Sequence, residues 1–354
     1  MKKIFTVLLA VLTILSACGQ DTQTSKEGSS SDQVKVMTTL FPLKDFTERI
    51  GGKHVDVESV LPPGVDAHTY EPTPKMMITL AKSDIFIYNG AGLEGFADSA
   101  VKTLKNDDVK IVEATKGIDL QAFTDEEHDH ENEHEGDHQD EADHENHDEN
   151  EDHSDHGHGD SEGEHPEGEE HSGENHKHGD VDHHVWLDPV LAVKLAENIK
   201  NQLIEVKPEA KDEFEDNFEE LKADLIELDQ SFKKTINQTE KKEILVSHAA
   251  YGYWESRYGI EQLSVSGLSP TNEPTQKQIK KLMEESKAHD IQYILFEQNV
   301  NTKPAKTIKN QLDLDILYLH NLSVLTEEDI ENEEDYFSLM KRNIETLDKA
   351  LNNY

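Results

Sequence analysis

Apolar and polar positions alternate along two stretches of the chain in a pattern that predicts strands separated by helices. Eight short apolar runs bounded by turn residues predict strands at residues 34–41, 55–61, 84–88, 109–113, 243–247, 260–265, 291–296 and 314–319. Helix-like segments separate or follow them at residues 42–50, 73–82, 93–104, 188–206, 251–258, 274–288, from 303, and 331–351. This alternation is typical of βαβ units, so we expect an α/β fold with mainly parallel central sheets.

A long amphipathic segment separates the two stretches. It begins at Pro208, and its large apolar residues are spaced alternately by four and three positions. These residues are Phe214, Phe218, Leu221, Leu225, Leu228, Phe232 and Ile236. A continuous helix of this length would span roughly 46 Å, more than one small domain needs. We therefore predict an N-terminal lobe over 34–206, a rigid linking helix over 207–238 and a C-terminal lobe over 239–354. The alternative is a coiled-coil dimer, but the repeat is short and we expect a monomer.

A histidine- and acid-rich run over residues 125–182 interrupts the first lobe. Thirteen of the chain's 20 histidines lie between His128 and His178, and no large apolar residue occurs from 128 through 180. Such a segment cannot form a core, so we predict a disordered loop that binds transition metals weakly. The alternative is a solvated acidic spacer. The run contributes −25 of the formal net charge of −41. The rest of the chain is also acidic, which argues against nucleic acid as a partner.

The N-terminal residues have the pattern of a bacterial targeting segment. Lys2 and Lys3 precede an apolar stretch that is too short to span a bilayer, and Leu-Ser-Ala-Cys follows it. This tetrapeptide looks like a lipobox, in which Cys18 would carry the lipid. We expect a signal peptide over 1–17, a flexible tether over 18–33 and a folded part anchored outside the cytoplasmic membrane. The alternative is an ordinary secretory signal with a coincidental cysteine.

Four polar residues occupy positions where α/β folds place ligands. His68 lies in a loop after the second predicted strand, and His184 stands where the run meets folded sequence. His248 and Glu297 each follow a predicted strand directly. Ligands bind beyond the carboxyl ends of parallel strands, and three imidazoles with one carboxylate suit Zn²⁺. The spacing alone makes these residues candidates, since a single histidine often has only a structural role.

Four motifs in the right order resemble a known family: PGVDAHTYEP, HVWLDP, SHAAYGYW and FEQNVNTK. With the His-rich insert, they are similar to the zinc-specific solute-binding lipoproteins of ABC importers (the ZnuA/AdcA type), over residues 34–354. The resemblance implies two α/β lobes joined by a rigid helix, with one metal in the cleft between them. It also implies the ligands His68, His184, His248 and Glu297. Manganese-type relatives have a carboxylate where this chain has His248, so the resemblance favours zinc.

Several positions leave alternatives open. The family commonly has Pro where this chain has His183, and this neighbour could compete with His184 as a ligand. His320 is an alternative fourth ligand. Asp66 either orients His68 or caps a turn, and Asp188 fits a helix N-cap better than a ligand.

The resemblance implies extracytoplasmic capture of Zn²⁺, as transported ligand, for delivery to an ABC permease and its ATPase. A shell of four protein ligands leaves no position for an activated water, so we do not expect an enzyme. The alternatives are an extracellular zinc-dependent hydrolase and a surface adhesin with structural zinc.

Overall fold

The structure is a computed structural model that describes residues 33–105, 107–123, 181–299 and 302–352. The predicted signal peptide, Cys18, the tether up to residue 32 and the run from its start to residue 180 lie outside the described residues. Among the helices described, none is both long enough and apolar enough to cross a membrane.

Two four-stranded parallel sheets form the centre of the molecule, which confirms the predicted fold class. The first sheet, in the order β2-β1-β3-β4, contains β1 (Val34–Thr38), β2 (Val55–Ser59), β3 (Ile85–Tyr88) and β4 (Lys110–Glu113). The second sheet, in the order β6-β5-β7-β8, contains β5 (Glu243–His248), β6 (Glu261–Ser266), β7 (Tyr293–Phe296) and β8 (Asp315–Tyr318). Each predicted strand corresponds to one observed strand. The central strands are β1 and β3 in the first sheet and β5 and β7 in the second. Because these strands are parallel, the loops that follow them lie at the same edge of their sheet.

Ten α-helices accompany the sheets in the described part of the chain. They are α1 (Phe41–Gly51), α2 (Pro74–Leu80), α3 (Ala97–Leu104), α4 (Pro189–Val206), α5 (Lys211–Ile236), α6 (Gly252–Tyr258), α7 (Gln276–Ala288), α8 (Lys303–Leu312), α9 (Glu327–Glu331) and α10 (Tyr336–Asn352). The Asp188 side chain accepts hydrogen bonds from Val190 N (2.8 Å) and Leu191 N (3.2 Å), so Asp188 is the N-cap of α4.

Two predicted helices begin four or five residues later in the structure, and one observed helix was not predicted. Helix α3 begins at Ala97 rather than at residue 93, because the chain stays irregular or in turns up to Phe96, after three residues with positive φ at Gly90, Ala91 and Gly92. The last helix begins at Tyr336 rather than at 331, because a separate short helix, α9, ends before it. Helix α9 was not predicted, although Thr326 and Asp329 form a capping box at its start.

The long helix contacts elements from both halves of the chain. A 3₁₀ turn over Pro208–Ala210 precedes α5, whose 26 residues span about 39 Å. All seven residues of the predicted apolar stripe are buried, and α5 packs on α1 and α4 from the first half and on α6 and α10 from the second. The stripe is therefore covered within one chain, which removes the reason for a coiled-coil dimer. The lobe boundaries at 206 and 239 stay predictions.

The C-terminal helix crosses back to the first half and fixes the segment that enters α4. The Tyr336 hydroxyl donates a hydrogen bond to the carbonyl oxygen of Trp186 (2.7 Å), and its ring lies 4.9 Å from that of Phe46 in α1. The Trp186 Nε1 in turn donates to the carbonyl oxygen of Asn321 (2.8 Å). Because Trp186 is fully buried, the residues directly before it are held against the second half of the molecule.

Candidate metal centre

Three histidines from separate elements meet between the two sheets. His248 is the last residue of β5, and His68 lies in the loop between β2 and α2. His184 directly precedes a 3₁₀ helix over Val185–Leu187 that leads into α4. One nitrogen from each ring lies within 4.8 Å of the other two, which makes this three-histidine group suitable for one metal ion.

The spacing within the group fits a shared zinc ion. His184 Nε2 and His248 Nε2 lie 3.4 Å apart, and the His68 ring centroid is 5.5 Å from that of His184 and 5.9 Å from that of His248. Tetrahedral zinc with bonds of about 2.05 Å places its nitrogen ligands about 3.3 Å apart. Two facing nitrogens at this distance can therefore bind one ion with little movement.

A carboxylate lies behind each of the two buried rings. Asp182 Oδ1 accepts from both the Nδ1 and the backbone N–H of His184, each at 2.9 Å. This bond places the proton of the His184 ring on Nδ1 and leaves the Nε2 lone pair facing His248. On the other side, Glu297 Oε1 contacts His248 Nδ1. Both contacts leave the two Nε2 atoms free to share an ion.

The structure brings together three of the four predicted ligands. Glu297 is buried, but its carboxylate lies against His248 Nδ1, accepts from Asn321 Nδ2 and lies 3.4 Å from the Ser247 hydroxyl. It is not part of the three-histidine group within 4.8 Å. Its role as a fourth ligand stays a prediction.

Burial lowers the pKa of His184 and of His68, which favours the neutral form that a metal ligand requires. Desolvation lowers the pKa of His184 well below its usual value, with smaller contributions from His248 and His68. The pKa of His68 falls to about 4, mainly through burial and then through His248. Burial also raises the pKa of Asp182 to about 7, against the hydrogen bond from His184. All these shifts disfavour charge in the absence of a cation.

His68 is held through its backbone. Asp66 Oδ1 accepts from the His68 backbone N–H at 3.0 Å, and the Asp66 carbonyl accepts from Tyr70 N at 3.1 Å. Asp66 is therefore a turn cap and not an acceptor for the His68 ring. The His68 side chain is partly exposed, whereas His184 and His248 are each only 1% exposed.

The competing histidines have different surroundings. The His183 ring packs 4.4 Å from His184 and 4.9 Å from His68, outside the three-histidine group, so the geometry favours His184 as the ligand. His320 has both ring nitrogens engaged: Leu322 N donates to Nδ1 (2.9 Å), and Asp329 Oδ2 lies 3.2 Å from Nε2. It is therefore not available as the alternative fourth ligand.

Asp182 was not predicted to belong to the site, because it is the last residue of the acidic run. Its position two residues before a candidate ligand, in an Asp-x-His pattern, is the signal that could have found it. Asn321, whose amide contacts Glu297 and whose carbonyl accepts from Trp186, was not predicted either. No motif pointed to Asn321, because its role depends on the arrangement of the two halves of the chain.

Comparison with known proteins decides the family. The family described as "ZnuA: Zinc-uptake complex component A periplasmic" matches residues 36–350. The chain belongs to this family. The resemblance stated from the four motifs is thereby confirmed.

Individual relatives agree with this assignment. The chain is 32% identical over 345 residues to the high-affinity zinc uptake system protein ZnuA of Bacillus subtilis (strain 168), covering 98% of this chain and 96% of that protein. It is 31% identical over 347 residues to the zinc-binding protein AdcA of Streptococcus pyogenes serotype M3, with 98% of this chain and 61% of AdcA covered. The chain thus spans about three-fifths of the length of this AdcA relative.

Solved structures support the same fold. The crystal structure of the Zn(II)-bound ZnuA-like domain of Streptococcus pneumoniae AdcA is 28% identical, with a TM-score of 0.66 over 90% of this chain and 99% of that domain. The metal-dependent lipoprotein YcdH from Bacillus subtilis is 29% identical, with the same TM-score and coverage.

Proposed function

We propose that this protein binds Zn²⁺ outside the cytoplasmic membrane and delivers it to an ABC import permease and its ATPase. The observation that carries the proposal is the three-histidine group, in which His184 Nε2 and His248 Nε2 face each other at 3.4 Å. Neutral imidazoles suit zinc better than manganese or magnesium, which prefer oxygen ligands. The zinc uptake and zinc-binding names of the relatives support the same cargo.

Glu297 is the fourth ligand in this proposal. Its carboxylate already lies against His248, buried at 2% exposure, and would neutralise part of the ion's charge. A fourth protein ligand closes the shell, so that no bound water is activated and the protein acts as a receptor and not as an enzyme. Tetrahedral Co²⁺ has intense visible absorption that depends on its ligands, so Glu297→Gln should change the Co²⁺ spectrum. An unchanged spectrum would show that Glu297 contacts only His248 and does not bind the metal.

The membrane location follows from Cys18 in this proposal. A relative from Streptococcus pneumoniae is named a zinc-binding lipoprotein, which supports lipid attachment at the Leu-Ser-Ala-Cys pattern. Two acyl chains would be sufficient for stable anchoring next to the permease. Cys18→Ala should release the protein into the medium while its zinc affinity in solution stays unchanged.

The described residues on either side of positions 124–180, which contain nearly all of the histidine- and acid-rich run, pair with each other close to the metal centre. Ala122 and Val181 form an antiparallel bridge, and Asp182 N donates to the Gln121 carbonyl at 2.8 Å. His184 is only three residues from this bridge. We propose that the run collects zinc weakly and raises its local concentration at the three-histidine group.

Zinc uptake by cells tests the proposed function. In a bacterial strain lacking its own zinc-binding lipoprotein, the intact chain should restore growth and zinc accumulation at limiting zinc. The His184→Ala variant should not restore growth at any zinc concentration at which growth depends on the importer. Deletion of residues 128–178 should slow zinc uptake only when zinc is scarce. Restoration by the His184→Ala variant would contradict zinc delivery from the three-histidine group.

A further inference from the structure

His183 has a buried ring nitrogen without a partner. The residue is only 8% exposed, and within the described part of the chain its Nε2 has no hydrogen-bond partner. A buried polar atom without a partner destabilises a fold, because it loses its contact with water and gains nothing in return. Such an atom beside a metal centre is a candidate for binding the metal.

The position of His183 distinguishes it from the three-histidine group. Its ring contacts His184 and His68, with centroids 4.4 and 4.9 Å away, but none of its nitrogens joins the group that can bind one ion together. His68 is the group member with appreciable exposure, because His184 and His248 are each 1% exposed. His183 therefore lies next to the most exposed histidine of the three-histidine group.

Hydrogen bonds hold the backbone around His183. Its carbonyl oxygen accepts from Asn89 Nδ2 at 3.1 Å. The preceding Asp182 donates to the Gln121 carbonyl (2.8 Å) and accepts from the Tyr253 hydroxyl (2.7 Å). Rotation about the His183 side-chain bonds would change the direction of Nε2 without disturbing these contacts.

We propose that His183 is an exchange ligand for the metal, which binds the ion together with His68 as it enters or leaves. This inference rests on the proposed function. The Nε2 lone pair of the neutral ring would replace one water on the incoming Zn²⁺. The Zn–Nε2 bond would then break as His184 and His248 bind, with no change in oxidation state. Zinc accepts a fifth ligand transiently, which permits such a stepwise transfer.

Rapid mixing of the mature full-length chain with Co²⁺ tests this role. The absorption of tetrahedral Co²⁺ reports the three-histidine group separately from weak binding elsewhere, and release is measured by adding excess chelator. In His183→Leu and His183→Asn, we expect binding and release rates to fall about tenfold each, with a Kd within about threefold of the parent value. His289→Ala, a partly exposed histidine in contact with Glu243, is the matched control and should change neither rate.

Thermal unfolding without metal provides a second readout. Because His183→Leu replaces the unpartnered ring by an apolar side chain of similar size, its Tm should equal or exceed that of the parent. Unchanged exchange rates in both variants would overturn the exchange role. A Kd raised a hundredfold with an unchanged binding rate would overturn it too, because His183 would then be a permanent ligand. Failure of the parent chain itself to form a tetrahedral Co²⁺ site would instead reject the proposed function.

Discussion

The two halves of the metal centre are built differently. His184 and His248 are each 1% exposed, and a carboxylate contacts the Nδ1 of each ring, from Asp182 and Glu297 respectively. His68 lies on a loop and is partly exposed, and among the described residues no carboxylate forms a hydrogen bond with its ring. Two nitrogens are thus fixed before the metal arrives, whereas the third can adjust.

This difference suits a protein that must bind an ion tightly and later release it. Fixed ligands bind strongly because little entropy is lost when the ion arrives. A ligand on a loop can leave first, and its departure lowers the barrier to release. We therefore expect the buried pair, His184 and His248, to determine the affinity for the ion. His68, together with His183, should determine the rates at which the ion binds and leaves.

The largest expected effect is on the buried pair. His184→Ala or His248→Ala should each raise the Kd for zinc by roughly a thousandfold, because each removes one fixed ligand and exposes the carboxylate behind it. Competition with a chelator of known affinity measures this change, with His289→Ala as control. A loss below about tenfold in either variant would mean that the pair does not hold the ion.

A smaller effect is expected for the loop ligand. His68→Ala should raise the Kd by about a hundredfold, mainly through faster dissociation, because water can replace an exposed ligand more easily than a buried one. Stopped-flow release to a chelator separates the two rate constants. A Kd as high as that of His184→Ala would contradict the proposed difference between the loop ligand His68 and the buried pair.

Two aspartates near the ligands form a matched pair for the next smaller effect. Asp182→Asn should weaken zinc binding about tenfold, because the amide is a poorer acceptor for the His184 Nδ1–H. Asp66→Asn should change it less than about threefold, since Asn caps the same turn through its side-chain oxygen. Calorimetry on both variants makes the comparison. Equal losses would show that Asp182 does not orient His184.

The last prediction concerns the metal-free protein and the dependence of its stability on pH. The pKa of His68 is lowered to about 4 in the folded state, so the unfolded chain binds the proton more readily below about pH 6.5. The contribution of His68 to stability should therefore fall as the pH drops from about 6.5 to 4, by at most about 3 kcal/mol, whereas Asp182, whose pKa is raised by burial, contributes in the opposite direction. Urea unfolding at pH 7 and pH 4.5 measures the change in the free energy of unfolding, and between these pH values His68→Ala should lose less stability, or gain more, than the parent. An identical pH dependence in that variant would contradict the assignment to His68.

Local patterns in the sequence were sufficient to predict the sheets and to make the site histidines candidates, whereas the ligand set came from the family resemblance. The eight strands are short apolar runs between turn residues, and Asp188 before Pro189 has the chemistry of a helix start. His248 could be placed because it directly follows a strand whose carboxyl end faces the cleft. These features depend on neighbours in the chain, which periodicity and capping rules describe.

The remaining features depend on contacts between distant residues. The position of Glu297 against His248 is determined partly by Asn321, which lies in a different loop. Asp182 is buried, and its carbonyl oxygen accepts from the Tyr253 hydroxyl in α6, a contact between residues far apart in the chain. Side-chain directions of this kind follow from packing of the two halves and not from spacing along the chain.

The most direct test is a calorimetric zinc titration of the protein lacking residues 128–178, beside its His184→Ala variant. Because Ala122 and Val181 already form a bridge, the shortened chain should keep the same fold. The structure predicts one tight site per chain in the shortened protein and its loss in the variant. If no tight site remains after the deletion, the histidine-rich run is the metal binder, and the three-histidine group is not the zinc site.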